Sequence, residues 1–192
     1  ASDVYKRQNE LDLKTILVET KDKDGVLPSV TIDNINASYE GTKYLLDKGL
    51  SKPAFIGVKQ DTMNAWGDRF VGFEKALEEA GINVDEELVY FDNLKVKTGY
   101  EAVEKFIGSN KKFDSIVCAS DEIAIGAINR LRENGYNVPE DISIIGFNNN
   151  HVSSYFYPRI TTISQPSYDM GSVAMRTVSY THLRAHETSA HL

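Results

Sequence analysis

Four apolar segments of this sequence are each followed, within a few residues, by side chains that could bind a small polyhydroxylated molecule. Carboxylate, amide and guanidinium groups are planar and can form paired hydrogen bonds with two adjacent hydroxyl groups. An aromatic ring can pack against the apolar C–H face of a sugar. This mixture of side chains predicts a carbohydrate-binding site. The candidate residues are Asn64, Trp66, Arg69, Ser120, Asp121 and Asn148.

Each candidate residue also has a purely structural interpretation. Asn64, and likewise Ser120 or Asp121, can cap the helices that follow them, because short polar side chains accept hydrogen bonds from the first backbone amides of a helix. Asn148 can be a turn residue with a left-handed backbone. Trp66 can belong to the hydrophobic core, and Arg69 can form an exposed ion pair that contributes little stability. The binding site is favoured only because all of these residues should meet at one edge of one sheet.

Short apolar segments alternate with amphipathic helices along the sequence. The clearest helix begins near Trp66, repeats apolar residues every three or four positions and should end at Gly81. The alternation predicts an α/β fold in which parallel sheets are flanked by helices. Ligands of such sheets bind beyond the carboxyl ends of the strands, where the candidate residues lie. The predicted strands are Thr15–Val18, Ala54–Val58, Leu88–Phe91, Ser115–Ala119 and Ile142–Phe147, and the predicted helices lie around 34–48, 66–80, 100–107, 123–131 and 168–176.

The two ends of the sequence resemble translated sequencing-adapter DNA, read in opposite senses at residues 1–8 and 178–192. We therefore expect the natural segment to run from Asn9 to about Thr177 and to be part of a longer gene product. The histidines whose spacing could suggest a metal site lie in the C-terminal adapter-like stretch. No metal site is therefore predicted.

Composition restricts the class of protein. The chain has 192 residues, of which 41% are hydrophobic, so it can bury a core, and no apolar run approaches the length of a membrane span. Its formal net charge of −7 disfavours direct binding to DNA phosphates. The single cysteine, Cys118, lies in an apolar run and fits a buried thiol in a cytoplasmic protein. An enzyme and a cofactor are not predicted, because the natural segment has no phosphate-binding glycine loop and no paired nucleophile and base.

Five motifs in order carry a resemblance to a known family. They are Val30–Asn34 (V-T-I-D-N), Arg69–Phe73 (R-F-V-G-F), Ser120–Gly126 (S-D-E-I-A-I-G), Val138–Asn149 (V-P-E-D-I-S-I-I-G-F-N-N) and Pro158–Pro166 (P-R-I-T-T-I-S-Q-P). Together they resemble the effector-binding domain of the LacI/GalR family of bacterial transcriptional regulators. The resemblance covers nearly all of the segment from Asn9 to Thr177.

The resemblance implies a type I periplasmic-binding-protein-like fold, with two α/β lobes and the effector between them. Residues 9–52 would then be part of an incomplete N-terminal lobe, and 53–160 the C-terminal lobe. Residues 161–177 would be a strand and helix that cross back to the N-terminal lobe. With much of one lobe missing, we expect this segment alone to be poorly soluble and to bind effector weakly.

The resemblance also assigns roles to individual residues. Arg69 corresponds to the family's effector-contacting arginine, while Asp121, Asn148 and Gln165 lie at the effector cleft. The family usually has aspartate where this chain has Asn148, and a neutral amide suits a polyhydroxylated ligand. Asparagine at this position is similar to the maltose- and maltodextrin-responsive members, for which Trp66 would offer a stacking surface.

By the same resemblance, the intact protein is a cytoplasmic, dimeric, sugar-responsive repressor without a cofactor. Its operator DNA would be bound by an N-terminal helix-turn-helix domain that this segment lacks. The alternative is a periplasmic sugar-binding protein of an ABC transporter, which shares the fold. A helix-turn-helix upstream would favour the regulator, whereas an export signal would favour the transporter.

Overall fold

The computed structural model describes residues 15–22, 25–59 and 66–189, with side chains described up to residue 180. They form two compact units, one from residues 15–32 and 166–189 and the other from residues 33–59 and 66–165. In chain order the elements are β1 (Leu17–Val18), β2 (Ser29–Val30), α1 (Asn34–Asp47), β3 (Pro53–Gly57), α2 (Asp68–Glu79), β4 (Val89–Phe91), α3 (Val96–Gly108), β5 (Ser115–Cys118), α4 (Asp121–Glu133), β6 (Ser143–Asn148), α5 (His151–Tyr155), β7 (Thr161–Ser164) and α6 (Ser167–Ser189).

The larger unit is built on a parallel sheet with the strand order β4-β3-β5-β6-β7. Strand β3 has its successor β4 on one side and β5 on the other, so the direction of winding reverses between β3 and β5. Right-handed crossovers then place α2 on one face of the sheet and α3 and α4 on the other. Open α/β sheets bind ligands beside such a reversal, which here lies at the carboxyl ends of β3 and β5.

The core of this unit confirms the predicted α/β fold with parallel sheets flanked by helices. Every residue of β3 and β5 is buried, as expected for strands that are covered on both faces. The helices pack in two pairs, α1 with α2 and α3 with α4. Where α1 crosses α2, a Cβ on Gly72 would lie 2.1 Å from the carbonyl oxygen of Ile35. Where α3 crosses α4, a Cβ on Gly126 would lie 1.8 Å from the carbonyl oxygen of Val96. Only glycine permits these close approaches.

The ends of the helices follow the predicted local chemistry. Asp33 caps α1, because its side chain accepts a hydrogen bond from the Asn36 amide at 2.9 Å. Gly49, Gly81 and Gly135 follow three of the helices with φ of 85°, 69° and 84°, the left-handed conformation that glycine adopts most easily. The predicted helix boundaries near these residues are confirmed.

The two compact units do not coincide with the predicted lobes, whose boundaries are 52/53 and 160/161. Helix α1 belongs to the larger unit because it packs on α2. Strand β7 belongs there too, because it pairs in parallel with β6 from Ile145↔Thr161 to Asn148↔Ser164. Helix α6 runs to Ser189, well beyond the predicted 168–176, and includes part of the adapter-like stretch. The lobe boundaries and the adapter origin of both ends stay predictions.

The smaller unit consists of β1 and β2, which pair in parallel, and of α6, which packs on both strands. Strand β1 is shorter than the predicted Thr15–Val18. None of the helices in the described part of the chain is both long and apolar enough to cross a membrane.

Candidate functional site

Arg69 lies at the reversal point of the larger sheet. It stands in the first turn of α2, and only 1% of its surface is exposed. Its Nε donates to Asn34 Oδ1 at 2.8 Å, and its Nη1 donates to the carbonyl oxygen of Ala119, directly after β5. Its Cζ lies 3.6 Å from the centroid of the Phe147 ring, a cation–π contact. Burial excludes the alternative that Arg69 forms an exposed ion pair.

Asp121 is the second buried charged residue at the carboxyl edge of the larger sheet. It begins α4, and none of its surface is exposed. Its Oδ1 accepts from the Thr162 hydroxyl at 2.6 Å and its Oδ2 accepts from the backbone amide of Asn150 at 2.6 Å. Burial raises the pKa of Asp121 because it disfavours the charged carboxylate, while the hydrogen bonds from Thr162 and Asn150 act in the opposite direction. Both oxygens therefore already have protein donors.

Asn148 ends β6 and begins a left-handed turn. Its φ is 99° and that of Asn149 is 55°, so the predicted turn geometry is confirmed. The Asn149 amide donates to Thr162 Oγ1 at 3.2 Å, and the Asn148 carbonyl accepts from the Gln165 amide at 3.5 Å. The side-chain oxygen of Asn148 is buried, and no residue that the structure describes donates to it. It is therefore an acceptor that a ligand hydroxyl could use.

The remaining candidates have different positions. Ser120 caps α4, since its Oγ accepts from the Ile123 amide at 3.2 Å, so its capping interpretation is confirmed. Gln165 follows β7 and is 8% exposed. Trp66 is half-buried just before α2. Asn64 lies outside the described residues.

Sequence reasoning missed three residues of this site. Asn34 belongs to the Val30–Asn34 motif but was not among the candidate residues, yet it is buried and binds Arg69. Phe147 was seen as the end of an apolar strand, and Thr162 as part of an extended run. One signal could have found Thr162: Gly146 lies opposite it in the β6–β7 register, and a glycine inside a strand often marks a close approach.

The arrangement suits binding better than covalent chemistry. Among the described residues no group of three or more His, Cys, Asp and Glu side chains could hold a metal ion. Burial raises the pKa of the Cys118 thiol far above its usual range, which makes that thiol a poor nucleophile. The site offers an oriented guanidinium and an amide oxygen at one edge of the sheet.

The family model and the curated relatives that this chain matches agree with each other. Residues 42–188 match the family model of the periplasmic binding protein-like domain. The chain is 66% identical over 168 residues to the HTH-type transcriptional regulator RegA of Clostridium saccharobutylicum, an alignment that covers 88% of the chain and 51% of that protein. The chain spans about half the length of the curated relatives it matches.

Solved structures agree with this result. The transcription regulator CcpA of Lactococcus lactis is 34% identical and superposes with a TM-score of 0.87, covering 96% of this chain and 67% of that one. The complex of the transcriptional regulator CelR with cellobiose is 25% identical, with a TM-score of 0.81, covering 93% of this chain and 62% of that one. These likenesses confirm the predicted periplasmic-binding-protein-like fold. The chain belongs to the LacI/GalR family of transcriptional regulators, within which it matches the periplasmic binding protein-like domain.

Proposed function

We propose that this chain is the effector-binding part of a sugar-responsive bacterial transcriptional regulator. A small carbohydrate binds at the carboxyl edge of the larger sheet and changes the affinity of the intact protein for operator DNA. The observation that carries the proposal is the buried Arg69 guanidinium, held in one plane at the reversal point of the sheet. Such a group donates in a fixed direction to ligand oxygens.

The amide of Asn148 supports a neutral, hydroxyl-rich effector. Its buried Oδ1 can accept from a ligand hydroxyl, and its Nδ2 can donate to a neighbouring one. An ionised aspartate at this position could only accept, and would favour a cationic ligand. The CelR structure contains cellobiose, so a related fold binds a neutral disaccharide. Gln165, Asn64 and Trp66 complete the proposed set of contacts, with Trp66 as a stacking surface for a glucose-based sugar such as maltose.

DNA binding is assigned to a part of the protein outside this chain. The formal net charge of −7 makes the chain itself a poor ligand for a phosphate backbone. Several of the relatives that it matches are named HTH-type transcriptional regulators or repressors, which does not favour the alternative of a transporter's sugar-binding protein.

We also propose that the intact protein is a homodimer. Val152 and Tyr155 on the short helix α5 are exposed, Tyr155 by 79%, and Tyr157 just after that helix is 82% exposed. Neighbouring exposed aromatic and aliphatic side chains often mark a protein–protein interface. The aromatic face formed by these residues is the part of the larger unit that we expect to meet a second copy.

Calorimetric titration of the intact protein with maltose, cellobiose, glucose and ribose tests the carbohydrate site. We expect at least one of these sugars to bind, and Asn148→Ala to weaken that sugar by about 10-fold, because one buried hydrogen bond is lost. Asn83→Ala is the matched control, since Asn83 is exposed and lies away from the carboxyl edge. Equal loss of affinity in both variants would contradict the proposed site.

A further inference from the structure

We propose that Asp121 is a positioning residue. Its hydrogen bonds connect strand β7 to the Asn148–Asn150 turn and so hold Asn148 and Gln165 in place for the effector. Asp121 itself does not contact the effector. The inference rests on the proposed function, because it assigns a role within the same site. It differs from the effector-contacting role that the family resemblance implied for Asp121.

The two oxygens of Asp121 join two separate parts of the chain to α4. Oδ2 accepts from the Asn150 amide and Oδ1 accepts from the Thr162 hydroxyl, both at 2.6 Å. Thr162 Oγ1 accepts in turn from the Asn149 amide at 3.2 Å. One carboxylate and one hydroxyl thus connect the turn after β6 with β7. Because no surface of Asp121 is exposed, the carboxylate is enclosed by the residues that it connects.

Gly146 provides the space for this carboxylate. A Cβ on Gly146 would lie 2.3 Å from Asp121 Oδ1, which is far closer than atoms can approach. Gly146 pairs with Thr162 in the parallel register, so the gap in β6 lies beside the hydroxyl that binds the same oxygen. The strand therefore has a glycine where the carboxylate must reach β7.

The turn at residues 148–150, to which Asp121 is hydrogen-bonded, has an unfavourable backbone conformation. Asn148 and Asn149 both have positive φ, a conformation that costs free energy for residues other than glycine. The hydrogen bonds to Asn150 and, through Thr162, to Asn149 offset that cost. The Asn148 carbonyl accepts from the Gln165 amide, so the two proposed contact residues are linked through the same turn.

A series of substitutions distinguishes positioning from direct contact. In Asp121→Asn the side-chain oxygen can still accept from the Asn150 amide while the amino group donates to Thr162 Oγ1. We expect this variant to bind the sugar identified by titration within about 3-fold of the wild type. Asp121→Ala loses both bonds and should weaken binding by about 30-fold or more, whereas Thr162→Val should weaken it by about 10-fold and Thr162→Ser should restore it.

Direct contact predicts the opposite pattern. If the effector used the negative carboxylate, Asp121→Asn would lose as much affinity as Asp121→Ala, and Thr162→Val would bind normally. That result would overturn the inference. If Asp121→Ala does not fold, the comparison of Thr162→Val with Thr162→Ser still distinguishes positioning from direct contact.

Hydrogen exchange in the unliganded intact protein separates this inference from the proposed function. We expect the amides of Asn149 and Asn150 to exchange about 10-fold faster in Asp121→Ala and Thr162→Val than in the wild type, and to be unchanged in Asp121→Asn and Thr162→Ser. If no sugar binds but exchange follows this pattern, the proposed function fails while Asp121 still fixes the turn. Unchanged exchange in Thr162→Val would contradict the positioning role whether or not sugar binds.

Discussion

Replacing Arg69 by lysine tests whether the site depends on an oriented guanidinium. In the structure this group donates from Nε to Asn34 and from Nη1 to Ala119, and its Cζ lies 3.6 Å from the centroid of the Phe147 ring. These contacts fix the orientation of the guanidinium plane. A lysine ammonium keeps the charge but has no planar set of donors, so it cannot reproduce all three contacts.

The expected effect of Arg69→Lys follows from these contacts. A hydrogen bond from a charged donor contributes about 1.5–3 kcal/mol, and a desolvated cation–π contact about 2 kcal/mol. Lysine can keep at most one of the two hydrogen bonds, and loss of the other together with the cation–π contact should lower the free energy of unfolding by about 3.5–5 kcal/mol. Loss of one oriented hydrogen bond to the effector should raise the sugar dissociation constant by about 10- to 150-fold.

Two measurements on the intact protein check this prediction. Urea unfolding gives the change in stability, and calorimetric titration gives the change in sugar affinity. Arg130→Lys is the matched control, because the Arg130 Cζ lies 4.7 Å from the Tyr100 ring and its guanidinium also binds Glu104. It should leave sugar affinity unchanged, since Arg130 has no proposed contact with the effector. If Arg69→Lys binds sugar within twofold of the wild type, the proposed role of the guanidinium is wrong.

Three further predictions follow from other parts of the larger unit. Gly126→Ala should destabilise the protein by about 1–3 kcal/mol, because the added Cβ would lie 1.8 Å from the Val96 carbonyl oxygen. Gly108→Ala is the control and should not destabilise the protein, because no atom lies within 4 Å of its Cβ position. Thermal unfolding compares the two variants. Because burial raises the pKa of Asp121 above its unfolded value, folding favours the protonated carboxyl group, and the wild type should be most stable relative to Asp121→Asn at acidic pH and lose stability relative to it as pH rises above about 4; urea unfolding at several pH values would contradict this if the difference were constant. Tyr157→Ser should shift the intact protein from dimer to monomer in light scattering, and an unchanged dimer would exclude this residue from the interface.

The sequence was sufficient to predict the regular elements of the larger unit. Buried strands such as Ser115–Cys118 are continuous apolar runs, and the helices repeat apolar residues every three or four positions. Helix ends were also predictable, since Asp33 and Gly81 act through local backbone chemistry. These features depend on residues close together in the chain.

The partners of the site residues could not be predicted in the same way. Asp121 meets Thr162, 41 positions away, only because β7 pairs with β6 in one particular register. The extended run 161–165 between two prolines gives no sign of which strand it pairs with. Asn34 meets Arg69 because α1 packs on α2, which no local pattern near either residue indicates.

We propose that a sugar bound at the carboxyl edge of the larger sheet controls DNA binding by the intact protein. The most direct test measures operator affinity by electrophoretic mobility shift, with and without the sugar identified by titration, for the wild type and Arg69→Lys. We expect the sugar to change the operator dissociation constant of the wild type by about 5- to 150-fold, in either direction, and to have little effect on Arg69→Lys. A wild-type protein that binds the sugar but keeps the same operator affinity would show that the sugar does not control DNA binding.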